Sequence, residues 1–319
     1  MREIDIMEIG GFKVGHEQND EAMTGCTVLL LDKMSPAGVD VRGGGPASRE
    51  TPLLNPVAAA SGINAILLSG GSAFGLDAAG GVMQYLEERG IGFDVGITKV
   101  PLVCQSDIFD LKPCNMNARP DKAMAYRACE NATKNSPAMG SVGAGTGATV
   151  GKYTHFQNCM KGGFGHYAVE LGRLKVGAFV VVNALGDIYD IDTNKKIAGA
   201  VDDDGNLLEG EVPFFEVMAN VQGLYSKESN LPDSLFTANT TLGIVVTNAK
   251  LNKTDLNKVA AMTHNGYGRT IRPVHTTADG DSIYAVSTGD VEATVDIVGP
   301  LAAYVMGKAI NNAVEKKEA

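Results

Sequence analysis

Tryptophan is absent from this chain of 319 residues, and aromatic residues make up only 6% of it. No run of apolar residues approaches the length needed to span a membrane. The longest, such as 176–185, has the length of a buried strand. No cluster of Lys and Arg occurs, and the net charge is -10. Nucleic acid and anionic membranes both need concentrated positive charge, so neither is expected as a partner. Cysteine is sparse and odd in number, at Cys26, Cys104, Cys114, Cys129 and Cys159, with no CxxC spacing. That pattern suggests free thiols rather than a disulfide framework or a zinc site, although Cys104 and Cys114 are near enough in sequence to pair. The histidines His16, His155, His166, His264 and His275 show no HExxH spacing, so no metal centre is drawn from them. The N-terminus MREIDIMEIGGFKVGHEQND is charged throughout and has no apolar core of signal-peptide length, which makes the cytoplasm the expected compartment.

Glycine, by contrast, is abundant, with 39 residues against 12 prolines. The glycines are not periodic, so a collagen-like helix is excluded. They cluster at 43–45, 70–75, 140–147 and 162–165, each time beside an apolar segment. Tight turns and close backbone packing account for such clusters. GGSAFG and GSVGAGTGATVGK lack the lysine followed by Ser or Thr that a phosphate loop requires. Their N–H groups could still hold a carboxylate or an oxyanion. The run VDDDGN at 201–206 lacks the alternating ligands of a calcium loop and is read as a turn.

Strands are expected at 24–31, 63–69, 176–185 and 240–249, and at SIYAVSTGD. Apolar spacing at Leu76, Ala79, Val82, Met83 and Leu86 predicts a helix, with Ser72 as its N-terminal cap and Gly90 at its end. A short helix is expected near 123–133. An amphipathic one is expected in LNKTDLNKVAAMTHNGYG at 251–268, with Thr254 as its cap. A long C-terminal helix is expected over 291–314, kinked or divided at Pro300. Residues 194–236 read mostly as loop. Several strands are continuous apolar runs, which implies sheets covered on both faces. The expected fold is therefore a layered α/β sandwich, with two sheets between helices, in one domain spanning 1–319.

Three places hold chemistry-bearing residues. In NTTLGIVVTNA, Thr240 stands where a polar loop meets a buried strand, although threonine commonly opens strands. In TTADGDS, Asp279 and Asp281 would face the same way on an extended backbone, although a solvated turn fits equally. Asn183 ends an apolar strand, where an amide N–H can meet an oxyanion, as can a purely structural Asn.

Six ordered blocks carry a more specific signal. They are LLSGGSAFGLDAAGGVMQYLEERG, GSVGAGTGATVGK, MKGGFG, VGAFVVVNALGDI, NTTLGIVVTNA and RPVHTTADGDSIYAVSTG. Together they resemble the DmpA-type aminopeptidase family, which includes nylon-oligomer hydrolases and is close in fold to ornithine acetyltransferase. The resemblance implies an αββα fold and an inactive precursor that cuts itself between Asn239 and Thr240, leaving fragments 1–239 and 240–319. Thr240, or one residue on Thr241, would become the N-terminal nucleophile. Asn183 would then serve the oxyanion, Lys161 would hold the hydroxyl or a developing anion, and Asp279 and Asp281 would bond the nucleophile and its amine. The substrate would be a small peptide or other amide, no cofactor would be needed, and the protein would form a homo-oligomer, commonly a tetramer. Threonine with Asp-Gly-Asp, rather than serine with a Ser-x-Glu pair, is closer to the nylon-oligomer branch. An acyltransferase, or a binding protein that never cleaves, would be the alternatives on this fold.

Overall fold

The structure is a computed structural model and describes residues 1–111, 115–154, 156–224 and 239–314. Cys114 and His155 lie outside the described residues, as does the loop reading for 225–236.

Two sheets dominate. The first has six strands: β1 (Arg2–Glu3), β4 (Ala37–Val41), β8 (Gly163–Leu171), β9 (Leu174–Asn183), β10 (Thr240–Ala249) and β11 (Ser282–Val291). Their spatial order is β1-β8-β9-β10-β11-β4. The second comprises β2 (Phe12–Asn19), β3 (Thr24–Ser35), β5 (Ala47–Arg49), β6 (Ile63–Ser69) and β7 (Val103–Asp107), in the order β2-β3-β6-β7-β5. Most neighbours are antiparallel, but β10 runs parallel to β11 and β6 runs parallel to β7.

The side-chain period of two explains the layers. Along β9, Phe179 and Val181 face the second sheet and pack with Leu242, Ile244, Leu29, Ile66 and Leu68. The intervening Ala178, Val180 and Val182 face the opposite way. They pack under helices α4 (Lys253–Thr270) and α5 (Val295–Ala313), against Val259, Ala302 and Val305. On the far side of the second sheet, Val28, Leu30, Ala65 and Leu67 meet α1 (Ala79–Glu87) and α2 (Lys122–Glu130) through Val82, Leu86 and Ala125. The result is the four-layer αββα sandwich expected from the continuous apolar strands.

Several local expectations are corrected. Ser72 does not cap α1. It sits at φ +52 in a 3-10 turn, Ser72–Ala78, that leads into the helix. The first N–H of α1, on Ala79, donates instead to Gln105 Oε1 at 3.0 Å. Helix α4 is capped by Asn252, which accepts the N–H of Asp255, and not by Thr254. A short loop that lets Asn252 stay extended makes it the better acceptor. Helix α5 begins at Val295 because Val291 is still in β11, and it runs on through Pro300. Within 194–224, the structure contains strand Lys196–Ala198 and helix α3 (Val212–Val221), which begins with a proline in its first turn. Cys26, Cys104, Cys129 and Cys159 are free. Among the described residues, no helix is long and apolar enough to cross a membrane.

Candidate active site

Strand pairing brings three distant segments to one sheet edge. β9 and β10 are antiparallel, and their register sets Asn183, the last residue of β9, opposite Thr240, the first of β10. β11 is parallel to β10, with Leu242 opposite Ser282. The turn that enters β11, residues 273–281, therefore lies beside the same end of β10.

Thr240 is 4% exposed and has φ +149. A β-branched residue at positive φ is strained, typically by about 1–3 kcal/mol. The strained torsion is the one about the N–Cα bond of Thr240, next to the Asn239–Thr240 peptide bond. The Thr240 hydroxyl accepts the N–H of Gly280 at 3.0 Å. Only glycine allows this approach, because a Cβ at position 280 would stand 2.6 Å from Thr240 Oγ1 and 2.9 Å from the Gly45 carbonyl.

The carboxylates of the turn have different tasks. Asp281 accepts the N–H of Thr241 at 2.7 Å through one oxygen. Its other oxygen accepts the backbone N–H of His275 at 3.0 Å and lies 2.9 Å from His275 Nδ1. Asp279 instead closes its own turn, accepting the N–H and hydroxyl of Thr276 at 2.9 and 2.6 Å. Burial, and then the negative charge of Asp281, push the Asp279 carboxyl up to about 6. The two side chains thus do not converge on the Thr240 hydroxyl, because the backbone turns between them instead of extending. Beneath His275 lie His264 and Tyr267, with ring centroids 4.6 and 5.9 Å away. His264 is held near pH 4 by burial, so it is neutral at neutral pH.

Asn183 is locked in orientation. Its Oδ1 accepts Lys152 Nζ at 2.7 Å and the N–H of Thr149 at 3.1 Å. Its Nδ2 therefore faces the Phe109 carbonyl, to which it donates at 3.1 Å. Lys152 is buried and also donates to the Asn183 carbonyl at 3.2 Å. Lys161, the lysine singled out from the sequence, stands on a short strand, Met160–Lys161, and donates to the Thr146 carbonyl. Its positive charge bears on Asp110, which anchors the loop after β6 by accepting the N–H of Gly71 at 2.6 Å.

Of the residues expected from the sequence, Thr240, Asn183 and Asp281 meet at the end of β10. Asp279 sits one hydrogen bond behind, and Lys161 contacts a different loop. Lys152, Gly280 and His275 were not singled out. A lysine in the glycine-rich, apolar stretch ending GATVGK was a usable signal, since a buried ammonium needs close acceptors. Gly280 and His275 gave no comparable sign. Among the described residues, no group of three or more His, Cys, Asp or Glu side chains is placed to hold a metal ion.

A cavity of about 280 Å³ opens at this point, lined by Asn239, Thr240, Gly45, Asp107, Phe109, Thr277 and neighbouring residues. Asn239 and Thr240, the two residues of the bond in question, thus border the same pocket. Such an arrangement can place a carbonyl next to a threonine oxygen with amide donors close by.

Known proteins resemble the chain in sequence and in fold. The sequence profile of peptidase family S58 matches residues 5–318. An uncharacterized aminopeptidase of Mycobacterium leprae is 38% identical over 93% of this chain and 82% of its own. A 6-aminohexanoate-oligomer endohydrolase of Kocuria sp. is 30% identical over 91% of this chain and 77% of its own. Among solved structures, the L-aminopeptidase D-Ala-esterase/amidase of Ochrobactrum anthropi, described as a variant of the Ntn hydrolase fold, superposes with a TM-score of 0.70 at 18% identity. That match covers 97% of this chain and 85% of the other.

Proposed function

Since the chain belongs to peptidase family S58 and is a hydrolase of peptide or other amide bonds, we propose that it acts as a self-processing N-terminal threonine hydrolase with Thr240 as nucleophile. The observation that carries this reading is the Thr240 hydroxyl itself. It is buried, it accepts the Gly280 N–H, and it belongs to a residue that has a positive φ and lines a cavity. Thr241, the neighbouring alternative, has its N–H tied to Asp281 and does not line that cavity.

The chemistry proceeds in two rounds. In the first, Thr240 Oγ attacks the Asn239 carbonyl carbon. The C–N bond breaks, nitrogen takes up the proton, and an ester joins Asn239 to the Thr240 oxygen. Water then hydrolyses the ester and releases the α-amine of Thr240. An α-amine has a reference pKa of about 8 and can accept the hydroxyl proton, whereas the preceding amide nitrogen cannot. In the second round, Oγ attacks the substrate amide carbon and the substrate amine departs with a proton. Water then resolves the acyl-enzyme. Metal or organic cofactors have no part in this scheme.

Asn183 is the candidate oxyanion donor, supported by its position opposite Thr240 and its fixed amide orientation. Lys152 is the better candidate than Lys161 for the positive charge near the nucleophile, because its ammonium bonds Asn183 directly. Asp281 holds the backbone immediately after the nucleophile. Asp279 braces the turn that supplies the Gly280 N–H. The same reading takes the working enzyme to be an oligomer of processed protomers, a tetramer in the first instance, which light scattering tests.

Intact-mass spectrometry of fresh and aged protein tests the scheme. Masses matching 1–239 and 240–319 are expected. A chain that stays whole while still hydrolysing amides would overturn the assigned nucleophile.

A further inference from the structure

His275 bonds a carboxylate next to the nucleophile and has no part in the two rounds of chemistry. It stands at φ +60 in the turn that enters β11. In that conformation its backbone N–H and its ring Nδ1 reach the same oxygen, Asp281 Oδ2, at 3.0 and 2.9 Å. The other oxygen of Asp281 accepts the N–H of Thr241 at 2.7 Å. Both carboxylate oxygens thus accept backbone N–H groups, so the ring meets Asp281 as a donor, through Nδ1–H. The second ring nitrogen, Nε2, is enclosed and makes no hydrogen bond among the described residues. Tyr267 stacks on the ring with an interplanar angle of 27°, and His264 meets it edge-on at 74°. The ring is held by packing, and its polar contact is Asp281.

Asp281 in turn bears on Thr240 from two sides. It ties down Thr241, the residue after the nucleophile. Gly280, the residue before Asp281, donates its N–H to Thr240 Oγ1 at 3.0 Å. That donor lies between two carboxylates, each tied back to the start of the same turn: Asp279 to Thr276, and Asp281 to His275. An N–H given to Oγ1 leaves the hydroxyl's own hydrogen free to depart and stabilises negative charge growing on the oxygen. A shift of about 1 Å in such a contact costs a large part of a reaction rate. Asp281 is 1% exposed, so solvent does not simply replace a donor lost from it. His275 itself does not line the cavity beside Thr240.

We infer that His275 is a positioning residue for the reaction: its Nδ1–H fixes the Asp281 carboxylate, and through it both the start of β10 and the Gly280 N–H that holds the Thr240 hydroxyl. The inference rests on Thr240 being the nucleophile. It adds a residue that sets the rate of both chain cleavage and substrate turnover without touching the substrate. Its task is to donate a hydrogen bond, for which a neutral ring suffices.

His275→Gly and His275→Asn separate the donor from the ring. Both lack the imidazole and both tolerate φ +60, but asparagine places an amide N–H donor where Nδ1 stands. Self-cleavage is followed by intact mass from the moment of synthesis, and turnover is measured on alanine p-nitroanilide and on 6-aminohexanoate oligomer. His275→Gly is expected to slow cleavage and to lower kcat on the order of a hundredfold, with KM little changed. His275→Asn is expected to regain most of both. In an active chain, a glycine variant as fast as wild type, an asparagine variant as slow as the glycine one, or a loss confined to KM overturns the inference. Both variants lose the packing of the ring and are expected to melt at similar temperatures, so rates that merely follow melting temperature overturn it too. Hydrogen exchange of the Gly280 and Thr241 amides, read by NMR, separates this inference from the assignment of the nucleophile. Loss of their protection in His275→Gly and its return in His275→Asn supports the positioning role even in a chain that neither cuts itself nor hydrolyses an amide. Unchanged protection in His275→Gly overturns it.

Discussion

Asn183 and Thr240 are set opposite each other by strand pairing, whereas Asp279, Gly280 and Asp281 are set by hydrogen bonds inside a turn. The strand pair buries apolar side chains on both faces, with Phe179 and Val181 on one side and Val180 and Val182 on the other. Shifting its register by one residue would send every one of them to the opposite packed face, among neighbours of a different shape, so the pairing is strongly specified. The turn has no such backing. It depends on Thr276 bonding Asp279, on His275 and Thr241 bonding Asp281, and on glycine at position 280. A frame made by packing resists single substitutions at its rim. A turn made by a few polar contacts does not. The site thus joins a rigid half that aligns the nucleophile with a brittle half that holds its hydroxyl.

Substitutions can break this contrast in order of severity. Thr240→Ala is expected to abolish both chain cleavage and amide turnover while leaving the fold intact, since it removes the reacting oxygen and relieves a strained β-branched residue. Intact mass, an activity assay and circular dichroism check it, and residual hydrolysis would refute the assignment. Next come the two lysines. Lys152→Met is expected to lower kcat by about 10²–10³-fold, the scale of a lost electrostatic partner at a reacting centre. Lys161→Met, whose ammonium meets the Thr146 carbonyl, is expected to do markedly less. Comparable losses would place both lysines in the same network.

Within the turn, Asp281→Ala leaves the N–H groups of Thr241 and His275 without their acceptor. A cost of about 2–4 kcal/mol is expected for such buried donors, read as a lower melting temperature. The smallest effect concerns Asp279 and depends on pH. In the folded chain its carboxyl is pushed up to about 6, against 3.8 for an ordinary aspartate. Below about pH 4 it is protonated in both states and contributes no penalty. Between about pH 4 and 6 the unfolded chain gives up its proton first, so stability falls as pH rises. Asp279→Asn is therefore expected to match wild type at pH 4 and to exceed it above pH 6, by roughly 1–3 kcal/mol. A denaturation series across pH checks this, and parallel curves would contradict it.

The amino-acid pattern made much of the rigid half legible and little of the other. Strand 63–69 and the apolar runs leading to Asn183 and away from Thr240 were readable because a strand buried on both faces is a continuous hydrophobic run. The caps were less readable. Ser72 and Asn252 show that which nearby polar residue accepts a helix N–H depends on the path of the loop. Asp279 and Asp281, two apart, suggested a shared face, but the turn at Gly280 sends one back to Thr276 and the other to Thr241.

The sequence by itself therefore determined the four layers, the strands that carry the site, and Thr240 as the residue at the mouth of a buried strand, because burial and periodicity are local properties of the chain. Only the tertiary structure decided that Lys152 rather than Lys161 meets Asn183, that a backbone N–H at Gly280 holds the hydroxyl, and that Asp107 borders the pocket. Those relations join residues that are tens of positions apart in the chain, and only strand register and the packing of two sheets bring them together.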